Sequence, residues 1–184
     1  MTIFQRSDHH LYFLYGSNLN SDQLADRCGT PKRLGIACLT DFRLAFFEHS
    51  AVWDGGYETV VPEAGSEVWG VLYAVTFGQA EKLDAWQDVR PDGCGAYFLY
   101  PVKVVDGNGE KRSALVYVRD RSGKTGVPSD AQMGFIVKSA QEQGLPGRYV
   151  GQLKAVAVKK AGYAVPKHEG FEKRLLSMAC HGCG

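Results

Sequence analysis

The run Tyr15-Gly16-Ser17-Asn18-Leu19-Asn20 is the part of this sequence best suited to binding a small anion. It follows an apolar segment, residues 10–14, and precedes a short amphipathic one, so the pattern predicts a strand, a tight loop and a helix. At such a junction several backbone N–H groups point outward together, and the start of the helix adds a positive partial charge. We therefore expect the loop to bind a carboxylate or a developing oxyanion. Gly-Ser-Asn is also ordinary turn chemistry, and the local residues leave both interpretations open.

The elements that must position this loop are mostly strands. Runs rich in β-branched and aromatic residues, separated by Gly, Pro or Asp, predict strands near 10–15, 33–40, 42–48, 57–61, 67–76, 96–105 and 113–119. Asp106-Gly107-Asn108-Gly109 predicts a hairpin connection between the last two. Strands followed by helices indicate an α+β fold with a mostly antiparallel, partly closed sheet.

Helices are predicted from their capping residues. Ser21 is expected to cap a short helix ending at Gly29, and Thr76 a second. Ser129-Asp130-Ala131-Gln132 has the pattern of a capping box, opening a helix that stops at Gly144. One more helix is indicated by the spacing of Tyr149, Leu153 and Val156.

Other chemistry-bearing residues do not predict a second site. Ser17 is not in a Gly-x-Ser-x-Gly elbow, and the five histidines show neither triad nor metal-ligand spacing. The five cysteines are odd in number and scattered, which indicates reduced thiols. Cys180-His181-Gly182-Cys183 has the spacing of a metal clip, but no second pair completes four ligands, so a frayed tail is expected. The histidine and cysteine spacings therefore predict no metal site.

Composition limits the partners. A chain of 184 residues predicts one domain, which we place at 9–178, with loose tails at 1–8 and 179–184. Lys and Arg total 21 against 20 Asp and Glu, so neither a nucleic acid nor an anionic membrane is indicated as a partner. The sequence shows no secretion signal and no membrane-spanning stretch, which predicts a cytoplasmic protein, monomeric or homodimeric.

Several segments, in order, resemble the γ-glutamylcyclotransferase family. The family's mark is Tyr-Gly-Ser-Asn-Leu after the first strand, which stands here at 15–19. Further similar segments are Asp41–Leu44, Trp53–Gly56, Gly65–Tyr73, Leu83-Asp84, Gly95–Tyr97 and Gly144–Pro146. The likeness spans roughly residues 10 to 158 and implies a small, partly closed β-barrel flanked by a few helices.

The resemblance implies intramolecular aminolysis of a small γ-glutamyl amine or γ-glutamyl amino acid. The substrate's own α-amine attacks its γ-carbonyl, closes a five-membered ring and releases 5-oxoproline and the free amine, with no cofactor. By the same resemblance, Tyr15, Gly16, Ser17, Asn18 and Leu19 bind the glutamyl end. Tyr97 matches a family tyrosine near the acid/base residue and is expected either to hydrogen-bond the substrate or to pack within a strand. Two further departures bear on the leaving amine. The connection over 90–96 is longer than is common in the family, and Met133 stands where some members carry a tyrosine. The identity of the leaving amine therefore stays open.

Position 87 departs from the family pattern. The family's proton shuttle is a Glu in a segment Leu-Asp-x-x-Glu-Gly-Val, and the corresponding residue of Leu83–Val89 is Gln87. A carboxamide cannot take up a proton at neutral pH, so the resemblance implies a chain that binds better than it turns over, and a gain in turnover from Gln87→Glu. Three explanations stay open: a Glu→Gln substitution made to trap a complex, which the intact remaining motifs favour; a non-catalytic binding relative using the same pocket; or an enzyme in which Asp88 acts.

Overall fold

The computed structural model describes residues 9–119 and 123–167. The expected tails at 1–8 and 179–184, with Cys180 and Cys183, therefore lie outside the described residues. In chain order the elements are β1 His9–Leu14, a 3₁₀ turn Gly16–Leu19, α1 Ser21–Cys28, β2 Lys32–Ser50, β3 Gly55–Thr76, α2 Phe77–Trp86, β4 Phe98–Asp106, β5 Lys111–Val118, α3 Asp130–Glu142 and α4 Gly147–Lys154. Within the described part, no helix has the length and apolar character needed to cross a bilayer.

The five strands form a closed barrel in the order β1-β3-β2-β4-β5. Neighbouring strands pair antiparallel, except that β1 meets β5 in parallel at Tyr12 and Leu115. The predicted α+β class with a mostly antiparallel barrel is confirmed, and the barrel is closed rather than partly closed. The parallel contact between the first and last strands is a long-range pairing, which local patterns do not encode.

Two breaks predicted in the strands are bends within longer strands. The predicted strands 33–40 and 42–48 are one strand, β2, and 57–61 and 67–76 are one strand, β3. Asp41 has a φ of 61°, and its carboxylate accepts a hydrogen bond from Gly65 N at 2.9 Å. The irregular positions, Asp41 on β2 and Gly65 on β3, are therefore hydrogen-bonded to each other, and the regular pairing of the two strands continues on both sides of them.

The helix starts follow capping chemistry, with two corrections. Thr76 and Gln79 form a complete capping box at α2. The side chain that caps α1 is Asn20, one residue before the predicted Ser21. At α3, Ser129 caps Gln132 N, but the Gln132 side chain binds Gly56 O at 2.9 Å instead of completing a box. The Gln132 side chain therefore bonds a buried carbonyl that is distant in the sequence and not the nearby backbone of the helix start.

Candidate functional site

A cavity of about 290 Å³ joins segments that are far apart in the sequence. Its lining includes Ser17 and Asn18 from the 3₁₀ turn, Glu58 from β3, Gln87 at the end of α2, and Tyr97 before β4. The structure thus brings together four of the residues selected from the sequence. Glu58 was not among them.

The other three selected residues lie behind the cavity rather than along it. Tyr15 is 2% exposed and donates a hydrogen bond from Oη to Tyr117 O at 2.7 Å. Leu19 packs in the core, and Gly16 is buried beneath the Glu58 carboxylate. Among the described residues, the cavity lining includes none of these three. Tyr15 and Leu19 therefore anchor the two ends of the turn in the core.

The Glu58 carboxylate binds the 3₁₀ turn directly. Ser17 N donates to Oε1 at 2.9 Å and Oε2 at 3.0 Å, and Ser17 Oγ donates to Oε1 at 2.6 Å. The sequence predicted that this backbone would bind a carboxylate, and the carboxylate found there belongs to the protein itself. A signal was present, since Glu58 is the single acid within Gly55–Val61, a run that otherwise reads as a buried strand.

Burial raises the pKa of Glu58 from 4.5 to about 7, against the opposing effects of the Ser17 hydroxyl and backbone hydrogen bonds and of the Arg27 charge. A carboxyl group with such a pKa exchanges its proton near neutral pH. It is therefore suited to both accepting and returning a proton.

The raised pKa predicts a pH-dependent stability. Between pH 4.5 and 7 the folded protein holds a proton on Glu58 that the unfolded chain has lost, so the unfolding free energy should fall as pH rises through this window. From pH 5 to pH 8 the loss attributable to this group is about 2–3 kcal/mol. Urea unfolding should show that the difference in unfolding free energy between the unsubstituted protein and Glu58→Gln changes with pH. Glu63→Gln, an exposed change on the same strand, should follow the unsubstituted protein; if Glu58→Gln also runs parallel to it, the raised pKa is wrong.

Gln87 acts as a hydrogen-bond donor in this structure. Its Nε2 donates to Asn18 Oδ1 at 2.7 Å, and the same oxygen accepts from Arg27 Nη1 at 2.7 Å. The Arg27 guanidinium lies 4.7 Å from the centre of the Trp86 ring. A carboxylate at position 87 would lack the donor that this arrangement uses.

Asp88 holds the loop that follows. Its φ is 51°, and Oδ2 accepts a hydrogen bond from Ala96 N at 2.9 Å. Val89 and Tyr97 form an isolated bridge that closes the same loop. This carboxylate lines the cavity, but it is engaged in fixing the chain between α2 and β4.

Tyr97 ties this loop to β3. Its Oη donates to the main-chain oxygen of Glu58 at 2.9 Å. Arg119 donates from Nη1 to Ala96 O at 3.0 Å and stacks 4.0 Å from the Tyr57 ring centre. Tyr97 therefore fixes the backbone that carries Glu58.

The turn between β2 and β3 completes the wall. Helix α3 holds it through Ser129 Oγ, which donates to Trp53 O at 2.7 Å, and through the Gln132 contact with Gly56. Ser50 lines the cavity, is 1% exposed, and its Oγ lacks a hydrogen-bond partner among the described residues. A buried hydroxyl without a partner is costly, so it is available to a ligand.

The comparisons with known proteins agree on one family. The AIG2-like family matches residues 67–153. The chain is 32% identical to human γ-glutamylcyclotransferase over 150 residues, which cover 79% of this chain and 78% of that protein, and 31% identical to the mouse protein over 83% of this chain and 81% of that one. A solved structure of a γ-glutamyl cyclotransferase superposes with a TM-score of 0.79 at 30% identity, over 92% of this chain and 99% of that one.

The chain belongs to the γ-glutamylcyclotransferase family. The resemblance seen in the sequence is thereby confirmed. In this family member, Met133 is 4% exposed in the core and is not among the described residues that line the cavity, and the link between Met133 and the leaving amine stays a prediction. Cys28, Cys38 and Cys94 are free thiols, and the described residues contain no His, Cys, Asp or Glu cluster able to hold a metal ion.

Proposed function

We propose that this protein converts a γ-glutamyl amine or γ-glutamyl amino acid to 5-oxoproline and the free amine. The single observation that carries the proposal is the cavity in which Ser17 and Asn18 of the family's turn motif meet Gln87 and Tyr97. Relatives named γ-glutamylcyclotransferase, with similarity over most of both chains, support the same reaction.

The reaction requires geometry more than external reagents. Substrate nucleophile and electrophile belong to one molecule, and a site that folds the glutamyl chain back supplies a large effective molarity, worth about 7–11 kcal/mol of barrier. Two further needs are donors for the carbonyl oxygen and a group that moves protons between two nitrogens.

The cavity suits a small zwitterion. Its volume of about 290 Å³ lies near the lower end for small-molecule sites. Among the described lining residues the cations are Arg27 and Lys167, which can attract the substrate's α-carboxylate. The Ser50 hydroxyl and the second N–H of the Gln87 carboxamide can donate to substrate oxygens.

We assign selection of the leaving amine to the segment 90–96, whose last residue, Ala96, lines the cavity. In this segment the Asp92 carboxylate accepts hydrogen bonds from Arg90 Nη2 and Cys94 N, and Asp92 and Cys94 are exposed. An amine leaving beside this loop meets polar groups and water, which favours acceptance of more than one amine.

The test is release of 5-oxoproline from a panel of γ-glutamyl amino acids, γ-glutamyl peptides and γ-glutamyl polyamines. The matched control is each substrate with its α-amine acetylated, which keeps the γ-amide but removes the nucleophile. We expect release from at least one free-amine substrate and from no acetylated one.

The alternative is a non-catalytic relative that binds a small γ-glutamyl or carboxylate metabolite in the same cavity. The absence of a carboxylate at position 87 is the observation that favours it. Calorimetric binding of panel members with no 5-oxoproline release from any of them would establish that alternative and end the enzymatic proposal.

A further inference from the structure

The cavity contains a carboxylate that the family pattern at position 87 does not account for. Glu58 is 5% exposed, and its two oxygens lie against the 3₁₀ turn, within hydrogen-bond distance of Ser17 N and Oγ. Its main-chain oxygen accepts a hydrogen bond from Tyr97 Oη. A buried acid whose side chain and backbone are both hydrogen-bonded is in a defined position for proton transfer.

Only two acids line the cavity within the described residues, Glu58 and Asp88. Asp88 is half-buried and holds the following loop through Ala96 N, whereas Glu58 is 5% exposed and lies against the 3₁₀ turn. Glu58 can take a proton on Oε2 and keep its contact with the turn, because Oε1 still accepts from Ser17 N and Oγ.

The Gln87 side chain is a hydrogen-bond donor and does not transfer protons. Its Nε2 and Arg27 Nη1 both donate to Asn18 Oδ1. A carboxylate at this position has no N–H and could not make the Gln87 hydrogen bond. The cavity therefore holds an amide that donates on one wall and an acid on another.

We propose that Glu58 is the catalytic acid/base of this family member, in place of the side chain at position 87, an inference that rests on the proposed cyclotransferase function. The α-ammonium of the substrate gives one proton to the Glu58 carboxylate, and the neutral amine attacks the γ-carbonyl carbon. A C–N bond forms and the carbonyl electron pair moves to oxygen. The attacking nitrogen loses its second proton to water, Glu58 returns the first to the departing nitrogen, and the old C–N bond breaks as the carbonyl re-forms. The released amine takes its last proton from water.

The main experiment compares 5-oxoproline release by the unsubstituted protein, Glu58→Gln, and Glu63→Gln as the matched surface control on the same strand. We expect Glu58→Gln to lower kcat by about 100- to 10,000-fold with a small change in KM, because shape is kept and proton transfer is lost. Glu63→Gln should leave both unchanged.

A second comparison separates the two positions. Under this proposal Gln87→Glu does not raise turnover, since it removes the donor to Asn18 and adds a second acid where one already acts. A rise of 100-fold or more in Gln87→Glu, with Glu58→Gln unimpaired, would return the role to position 87.

A pH profile keeps the proposal testable if Glu58→Gln does not fold. Activity of the unsubstituted protein should rise with pH through a limb near 7. Ser17→Ala removes a hydroxyl that lowers the pKa of Glu58 and should move that limb upward. The other ionisable groups facing Glu58 are Arg27 on α1, Tyr97 before β4, Tyr15 beside the turn and Tyr149 on α4, of which Arg27 also lowers the pKa of Glu58.

The outcomes distinguish this inference from the proposed function. An active unsubstituted protein with an active Glu58→Gln variant, or with a limb that Ser17→Ala does not move, overturns the role of Glu58 and leaves the cyclotransferase function standing. No release by the unsubstituted protein between pH 5 and 9 overturns both.

Discussion

Gly16→Ala is expected to lower kcat/KM about 100-fold, because a misplacement on the order of 1 Å in a catalytic group has that effect. A Cβ at Gly16 would lie 2.4 Å from Glu58 Oε2 and 2.7 Å from Cδ. The backbone there has a φ of +60°, so the new methyl group also strains the turn. The carboxylate is the end of a side chain and can move, so the main loss should be in activity.

Gly29→Ala is the matched control for this variant. Gly29 has a φ of +82°, but a Cβ there would contact nothing within 4 Å. Both variants place a methyl group on a backbone with a positive φ, at a cost of about 1–3 kcal/mol, and only Gly16→Ala disturbs Glu58. Steady-state kinetics and urea unfolding of the pair separate the two effects. Equal kcat/KM in both variants would show that the contact between the turn and Glu58 does not matter to turnover.

Gly55→Ala is expected to lower the unfolding free energy by about 3 kcal/mol, as overpacking of a buried contact does. A Cβ at Gly55 would lie 2.2 Å from Gln132 Oε1 and 2.6 Å from Ser129 N. Gln132 is fully buried, and Ser129 N is backbone at the start of α3, so neither can move away at little cost. Activity should fall as well, because Ser50 ends β2 just before this turn and Glu58 follows it on β3.

Gly134→Ala provides the comparison on α3 itself. Gly134 is exposed in the helix and a Cβ there would contact nothing within 4 Å. This variant should raise the unfolding free energy by about 0.5–1 kcal/mol, the gain expected when Ala replaces Gly in a helix. Urea unfolding should therefore move in opposite directions for the two variants, and a Gly55→Ala protein as stable as the unsubstituted one would contradict the close approach of α3 to the turn.

The relation between positions 58 and 87 bears on how the family pattern is interpreted here. The family pattern places the acid at position 87, and by that pattern Gln87 implies a chain that binds better than it turns over. The described cavity contains an acid on a neighbouring wall and a network that uses the amide of Gln87. Kinetics of Glu58→Gln and Gln87→Glu decide whether the acid/base function has moved or is absent.

Features that depend on local physical chemistry could be predicted from the sequence alone. Thr76 and Ser129 cap helices because their hydroxyls reach N–H groups three residues on, and Asp106–Gly109 turns a hairpin because its residues suit a tight connection. The α+β class and the strand, turn and helix around Tyr15–Asn20 followed from periodicity in the same way.

Tertiary structure decided what depends on distant partners. Gln132 was expected to complete a local capping box and instead binds Gly56 across the fold, and Asp41 was expected to end a strand and instead binds Gly65 within the ladder. Glu58 was overlooked because its partner, Ser17, is 41 residues away, and burial alone changes its acidity from that of an ordinary surface carboxylate. Residue type and spacing do not show which distant residues meet or which groups lose contact with water. Both properties are needed to identify Glu58 as a candidate acid/base.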